Sequence, residues 1–336
     1  MIAAMALPVM SAAFLGACAP TVIPEGESRQ APALTADHYV AADGTRLPLA
    51  RWPADGGAGS PKVIVLGLHG FGDYRNAFEE PAALWSRAGI ETIAFDQRGF
   101  GGSPKRGRWP GTDTLVADAR AVATLLRRQH PGVPLYIAGE SMGGAVALVA
   151  TERGLECDGL ILSAPALRSR DTFGPLFSAG LWLLAHTVPW LPAGPTSIDY
   201  QPTDNPRTLE KLRSDPMMLR QPRLDMGYGV VGLMDDARAA VEKIAVPYLM
   251  MHGMGDRIVP SGPVKSAIEV MPPRVDSRLA FYKDGYHLLL RDKEGPKVAA
   301  DIVVWIGNHQ ARLPSGADAR QSQPELAALW GARRPR

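Results

Sequence analysis

The sequence predicts an α/β fold: a mostly parallel central sheet with helices on both faces and one helical insertion. Three observations carry that expectation. Short apolar runs recur along the chain without regular polar alternation, as in parallel strands covered on both faces. Stretches with helical spacing of apolar residues separate these runs. The alternation breaks once, over residues 168–240, where no strand-like run is found. At 336 residues the chain exceeds the roughly 100–200 residues of an ordinary domain, but it suits one large α/β unit with an insertion.

In chain order, residues 38–42, Asp43-Gly44 and residues 46–52 read as a hairpin, because Asp-Gly is a favoured turn between strands. Buried-strand runs follow at 62–68, 91–95, 135–138, 160–163, 246–251 and 278–282. The clearest helix spans 113–129, with Leu115, Val116, Ala119, Val122, Ala123 and Leu126 on one stripe. Thr112 stands at its cap position, and Arg127 and Arg128 precede a Pro131-Gly132 stop. Another helix over 296–310 closes the globular part. An antiparallel hairpin feeding βα units gives a doubly wound sheet. The insertion holds Trp182, Trp190 and an apolar run over 177–191. That run is too short to span a bilayer and is interrupted by His186 and Pro189, so the insertion reads as a helical cap. The expected organisation is a core of 37–167 and 241–311, a cap of 168–240 and a mobile tail of 312–336.

Composition narrows the function. Hydrophobic residues at 46% and charged residues at 21% exclude wholesale disorder. With 36 Lys+Arg against 34 Asp+Glu, the net charge of +2 leaves no basic surplus to neutralise phosphates, and no nucleic-acid partner is expected. The two cysteines, Cys18 and Cys157, exclude a disulfide scaffold and a cysteine-built zinc or iron–sulfur site. Cys157 precedes an apolar run with no base beside it and reads as a packed spectator.

Residues 1–17 are apolar and end Leu15-Gly16-Ala17-Cys18. An apolar stretch closed by small residues resembles a secretory signal, and small residues directly before a Cys resemble the bacterial lipobox, in which that Cys is lipidated. No Lys or Arg lies between Met1 and Cys18, which leaves open a start further upstream or a weak signal. Residues 1–18 are therefore expected to address the protein to the cell envelope, with Cys18 as lipid anchor to a membrane surface. Without a functional signal the protein would stay in the cytoplasm. Residues 19–36, rich in Pro, Ala, Glu and Ser, suit a flexible linker.

The chemistry centres on Gly139-Glu140-Ser141-Met142-Gly143, which fits G-x-S-x-G. Alone the pentapeptide is weak. Here it stands between the strand run 135–138 and a helix through Gly144-Ala145-Val146-Ala147, where it is a nucleophile elbow that holds the serine Oγ at the carboxyl end of a strand. A serine needs a base, and the base an orienting acid. Elbow enzymes place them in the order Ser, acid, His. The loop after run 246–251 carries His252-Gly253-Met254-Gly255-Asp256, and the loop after 278–282 carries Lys283-Asp284-Gly285-Tyr286-His287. Ser141 is assigned as nucleophile, His287 as general base then acid, and Asp256 as orienter, with Asp284 as the rival acid. His38, His130, His186 and His309 fall in the hairpin, at a helix end, in the cap and on the last helix; His252 lies on a strand as a structural histidine. The developing oxyanion needs backbone donors, and these fall to Met142 and to Phe71 in His69-Gly70-Phe71-Gly72, with His69 bracing the loop. The Gly-containing loop at 69–72 carries neither G-x-G-x-x-G nor a P-loop lysine pattern, so a phosphate-binding reading of it fails, and no cofactor or metal is expected.

With these residues in place, the chain resembles the α/β-hydrolases of the monoacylglycerol lipase and lysophospholipase group, also classed with serine aminopeptidases. The resemblance runs over residues 37–310. It rests on His69-Gly70-Phe71-Gly72, Asp96-Gln97-Arg98-Gly99-Phe100-Gly101-Gly102-Ser103, residues 139–144, Gly255-Asp256 and Gly285-Tyr286-His287. It implies the α/β-hydrolase fold, a metal-independent esterase or lipase acting on single-chain lipids, and a structural role for residues 96–103. Thioesterase, peptidase and haloperoxidase-like activities use the same triad. A non-catalytic binding lipoprotein would have lost a triad member, and all three are present. Phe177, Leu181, Trp182, Leu183, Leu184, Val188, Trp190 and Leu191 make the cap strongly apolar, suited to a lipid tunnel or a lipid surface.

Overall fold

In the computed structural model a ten-stranded sheet organises the described residues, which are 19–55, 61–193 and 201–319. The signal segment with Cys18 and the tail beyond 319 lie outside them. In chain order the strands are β1 (Ala33–Leu34), β2 (His38–Val40), β3 (Arg46–Trp52), β4 (Val63–Leu68), β5 (Ile90–Phe95), β6 (Leu135–Glu140), β7 (Gly159–Ser163), β8 (Tyr248–Gly253), β9 (Arg278–Tyr282) and β10 (Asp318–Ala319). Their lateral order is 1-2-3-5-4-6-7-8-9-10. From β5 across to β9 every pairing is parallel, and antiparallel strands flank this block on both sides. This is the expected α/β-hydrolase architecture.

The helices are α1 (Glu79–Trp85), α2 (Thr112–Gln129), α3 (Met142–Glu152), α4 (Arg170–Phe173), α5 (Pro175–Thr187), α6 (Pro206–Ser214), α7 (Leu224–Ala240), α8 (Ser261–Ile268) and α9 (Gly295–Gly307). Strand side chains alternate between the two faces, so apolar runs supply both cores. Ile64, Leu66, Ile93, Phe95, Leu135 and Ile137 pack with α2, α3, α7 and α8. Val65, Ala94, Tyr136 and Ala138 pack on the other side with Trp85, Val298, Ile302 and Trp305 of α1 and α9. α3 lacks a polar stripe because it is covered all round: each residue from Met142 to Ala150 is buried. β5 and β6 lie on opposite sides of β4, so the winding reverses there. At such a switch point the carboxyl-end loops diverge and leave a crevice for a ligand.

Four expectations change. Thr112 is the first helical residue rather than the cap; Gly111, at φ 88°, precedes it, and no side chain caps the helix. Residues 19–36 are strapped to the core rather than free: Ile23 N–H donates to Trp109 O at 2.8 Å, Gly26 N–H to Asp43 Oδ2 at 2.9 Å and Arg29 N–H to Ala42 O at 2.7 Å. The start of the 312–336 tail is likewise docked, with Leu313 buried, Ser315 N–H on Asp301 Oδ1 at 3.0 Å and β10 paired to β9. In each of these bonds the segment contributes a backbone N–H, to a backbone or side-chain acceptor elsewhere, which polar composition does not reveal. Finally, α7 closes the 168–240 cap in sequence but packs on α3, with Met226, Val230, Leu233 and Ala237 in the core. Among the described residues no helix is long and apolar enough to cross a membrane.

Candidate active site

Ser141 sits at the sharp junction of β6 and α3 with φ 52° and ψ −113°. That conformation costs of order 1–3 kcal/mol for a residue with a Cβ, so its surroundings must over-determine it. Ser141 N–H donates to Ser163 O at 3.0 Å, and Ser141 O accepts from Ala166 at 3.0 Å and Ala145 at 3.2 Å. The motif glycines allow the close approach. A Cβ on Gly143 would lie 1.9 Å from Leu68 O, and one on Gly139 would lie 2.5 Å from Gly143 O. Any side chain at either position would force the elbow apart.

Asp256 and His287 follow β8 and β9, on the same carboxyl edge as Ser141. Their loops are laced together: Gly255 N–H donates to Gly285 O at 2.9 Å, and a Cβ on Gly253 would lie 2.3 Å from Tyr286 O. His287 Nδ1 donates to Asp256 Oδ2 at 2.8 Å, with both side chains buried. Asp256 Oδ1 accepts from the N–H groups of Ile258 at 2.8 Å and Val259 at 3.0 Å. Burial works to raise the Asp256 carboxyl, but the imidazole and backbone donors outweigh it and hold the group below its usual range. For His287, burial opposes protonation, yet Asp256 and Glu140 hold its pKa above the usual range. The rival acid Asp284 is exposed.

Phe71 lies in the loop after β4, and Met142 opens α3. The loop passes beside the elbow, where a Cβ on Gly70 would stand 3.5 Å from Ser141 Cβ. His69 braces it. Its Nδ1–H donates to Gly70 O at 2.9 Å, and Nε2 accepts from Gln97 N–H at 3.0 Å. Burial lowers the pKa of His69, which suits this neutral tautomer. Asp96, in the resembling 96–103 segment, accepts from Arg75 N–H at 2.9 Å and Gly102 N–H at 2.7 Å, and so ties two loops together. His252 is buried on β8, and burial lowers its pKa to about 4. Cys157 is buried, which pushes its thiol up to about 11 and leaves it inert. Among the described residues no cluster of three His, Cys, Asp or Glu side chains is placed to hold a metal ion.

Sequence reasoning missed a buried ionic network beneath these groups. Arg291 Nη2 donates to Asp73 Oδ2 at 2.6 Å and Glu140 Oε1 at 2.5 Å. Burial pushes the Glu140 carboxyl up despite Arg291. The one visible signal was an acid at the second position of G-x-S-x-G.

A family model described as "Serine aminopeptidase, S33" matches residues 59–294. The chain is 26% identical over 275 residues to a monoacylglycerol lipase of Mycolicibacterium smegmatis, covering 81% of this chain and 96% of that protein. It is 29% identical over 287 residues to the monoglyceride lipase of Homo sapiens, covering 82% and 91%. A soluble variant of monoglyceride lipase from Saccharomyces cerevisiae, solved with a substrate analog, superposes with a TM-score of 0.69 at 23% identity, over 87% of this chain and 100% of that one. The matched span runs from before β4 to just beyond His287 and so contains the elbow, the Asp256–His287 pair and the cap between them. The chain therefore belongs to the serine aminopeptidase S33 family of α/β-hydrolases.

Proposed function

We propose that this hydrolase is a serine esterase that cleaves single-chain lipid esters, monoacylglycerol-like or lysophospholipid-like, through an acyl-enzyme on Ser141. The observation that carries the reading is the strained Ser141 on the same sheet edge as a buried imidazole oriented by Asp256. With Nδ1 held by Asp256, Nε2 of His287 is the nitrogen left to accept the Ser141 proton as Oγ attacks the ester carbonyl. The N–H groups of Phe71 and Met142 stabilise the oxyanion. The imidazolium then protonates the departing glycerol oxygen, and water, activated by the same imidazole, releases the fatty acid and frees Ser141.

The cap supports the lipid class. On α5 and just after it, Leu176, Phe177, Trp182, Leu183, Leu184, Trp190 and Leu191 are all exposed, with Leu176 at 87%. An apolar surface of that kind suits contact with lipid. An aminopeptidase would instead need a free carboxylate for the substrate's amine, and Glu140, the acid next to Ser141 in the chain, is engaged by Arg291. Each buried acyl methylene adds about 0.8 kcal/mol. Turnover efficiency on glycerol monoesters is therefore expected to rise from acetyl to dodecanoyl, with aminoacyl-nitroanilides trailing. A steady fall along the series, or faster anilide cleavage, would remove the lipid reading.

A lipid anchor at Cys18 completes the proposal, on the sequence Leu15-Gly16-Ala17-Cys18. Acyl chains at that position would hold the enzyme at the envelope membrane. Expressed in a Gram-negative host, wild type should fractionate with membranes and Cys18→Ala should not. Equal solubility of the two would argue against lipidation.

A further inference from the structure

We propose that Arg291 is a positioning residue that transmits the seating of the cap to the oxyanion loop and the imidazole. The inference rests on the serine-esterase reading above and adds a coupling to it. Arg291 ends a short helical turn four residues after His287. Its side chain faces the site and its carbonyl faces the cap. The buried guanidinium bridges Asp73, three residues from the Gly70 that flanks Ser141, and Glu140, the residue before Ser141. The carbonyl accepts from three cap side chains: Thr208 Oγ1 at 2.9 Å, Asn205 Nδ2 at 3.0 Å and Thr203 Oγ1 at 3.4 Å.

Two further sets of bonds make the coupling two-sided. Beside His287, Leu288 N–H donates to Pro202 O at 2.9 Å. Beside Asp73, Leu219 N–H donates to Gly72 O at 2.7 Å, and Tyr74 Oη donates to Asp215 Oδ2 at 2.6 Å. One cap segment, 202–219, thus clasps the imidazole loop at one end and the oxyanion loop at the other. The Asp73–Arg291–Glu140 bridge closes the circuit under the elbow. A carbonyl has two lone pairs, so three donors leave it little freedom to shift alone. If the cap lifts, the Arg291 turn moves with it, and the two carboxylates that the guanidinium holds lose their common partner.

The groups facing His287 are Asp256 from the loop after β8, His252 on β8, Glu140 from the elbow and Arg291 from its own turn. Glu140→Gln removes one of the two carboxylates that favour the protonated imidazole. Its expected result is an acid limb of kcat/KM moved to lower pH, a change that a strut serving only the fold would not produce.

The decisive experiment compares Arg291→Met, Arg291→Lys and Thr208→Val in the full chain. It measures kcat and KM on acetyl and dodecanoyl glycerol esters and the rate of fluorophosphonate labelling. Arg291→Met is expected to lose about 10²-fold in kcat and labelling rate with KM little changed, as for a small misplacement of catalytic groups. Arg291→Lys keeps a cationic donor between the carboxylates and should recover much of that loss. Thr208→Val should reduce kcat on both esters alike. Should Arg291→Met fail to fold, Thr208→Val and Glu140→Gln decide the matter. Folded variants that label at the wild-type rate, or a Thr208→Val defect confined to KM on the long-chain ester, would overturn the coupling while leaving Ser141 as nucleophile. Wild type that does not label at Ser141 would overturn the underlying esterase reading as well.

Discussion

Ser141→Ala is expected to abolish covalent labelling by a fluorophosphonate and to lower turnover on the order of 10⁶-fold. The size follows from the proposed triad acting as a unit: in that mechanism, without the nucleophile, the imidazole and the oxyanion donors have no covalent step to assist. The substitution should cost little stability. Alanine keeps the Cβ, and the strained φ of 52° is held by backbone bonds to Ser163, Ala166 and Ala145 that the side chain does not make. A loss of activity accompanied by unfolding would therefore not be the predicted result. Labelling that survives in Ser141→Ala would place the nucleophile elsewhere.

His287→Ala should be about as damaging, and Asp256→Asn should cost on the order of 10⁴-fold through the wrong imidazole tautomer. An asparagine amide presents a donor where the Nδ1–H now finds an acceptor at 2.8 Å. The pH dependence carries the same assignment. Catalysis needs the neutral imidazole, so kcat/KM falls as pH drops through the His287 pKa. Asp256 and Glu140, outweighing burial, hold that pKa above its ordinary value of about 6.5, so the acid limb should lie above that pH. Asp256→Asn removes one of these carboxylates and should move the limb lower while depressing the plateau. Asp284→Asn, altering an exposed side chain, should behave as wild type. An inactive Asp284→Asn beside an active Asp256→Asn would reassign the acid.

The sequence by itself determined the features that are local. The parallel block was legible because each strand from β4 to β9 carries its own apolar run, and α2 because one stripe spans it from Leu115 to Leu126. The elbow was legible because strand, glycine-flanked serine and helix are contiguous. Chain order then selected Asp256 and His287, whose side chains meet although they stand 31 residues apart. Tertiary structure decided whatever depends on partners distant in sequence. β1 and β10, two residues each, have no periodicity to detect and exist only as edges laid on β2 and β9. The strap over 19–36 looked like a linker because its bonds run through backbone groups, which composition does not report. The segment 168–240 could be recognised as a helical insertion, but not that α7 would pack on α3 while the apolar residues of α5 stay exposed. Glu140 was visible as an acid in the motif, but nothing in the sequence marked Arg291 as its partner or Asp73 as the third member. The pairing of Glu140 with Arg291 spans 151 residues and that of Arg291 with Asp73 spans 218, so only folding brings the three charges together. Once buried, they must pair, because an isolated charge in the interior costs several kcal/mol of desolvation.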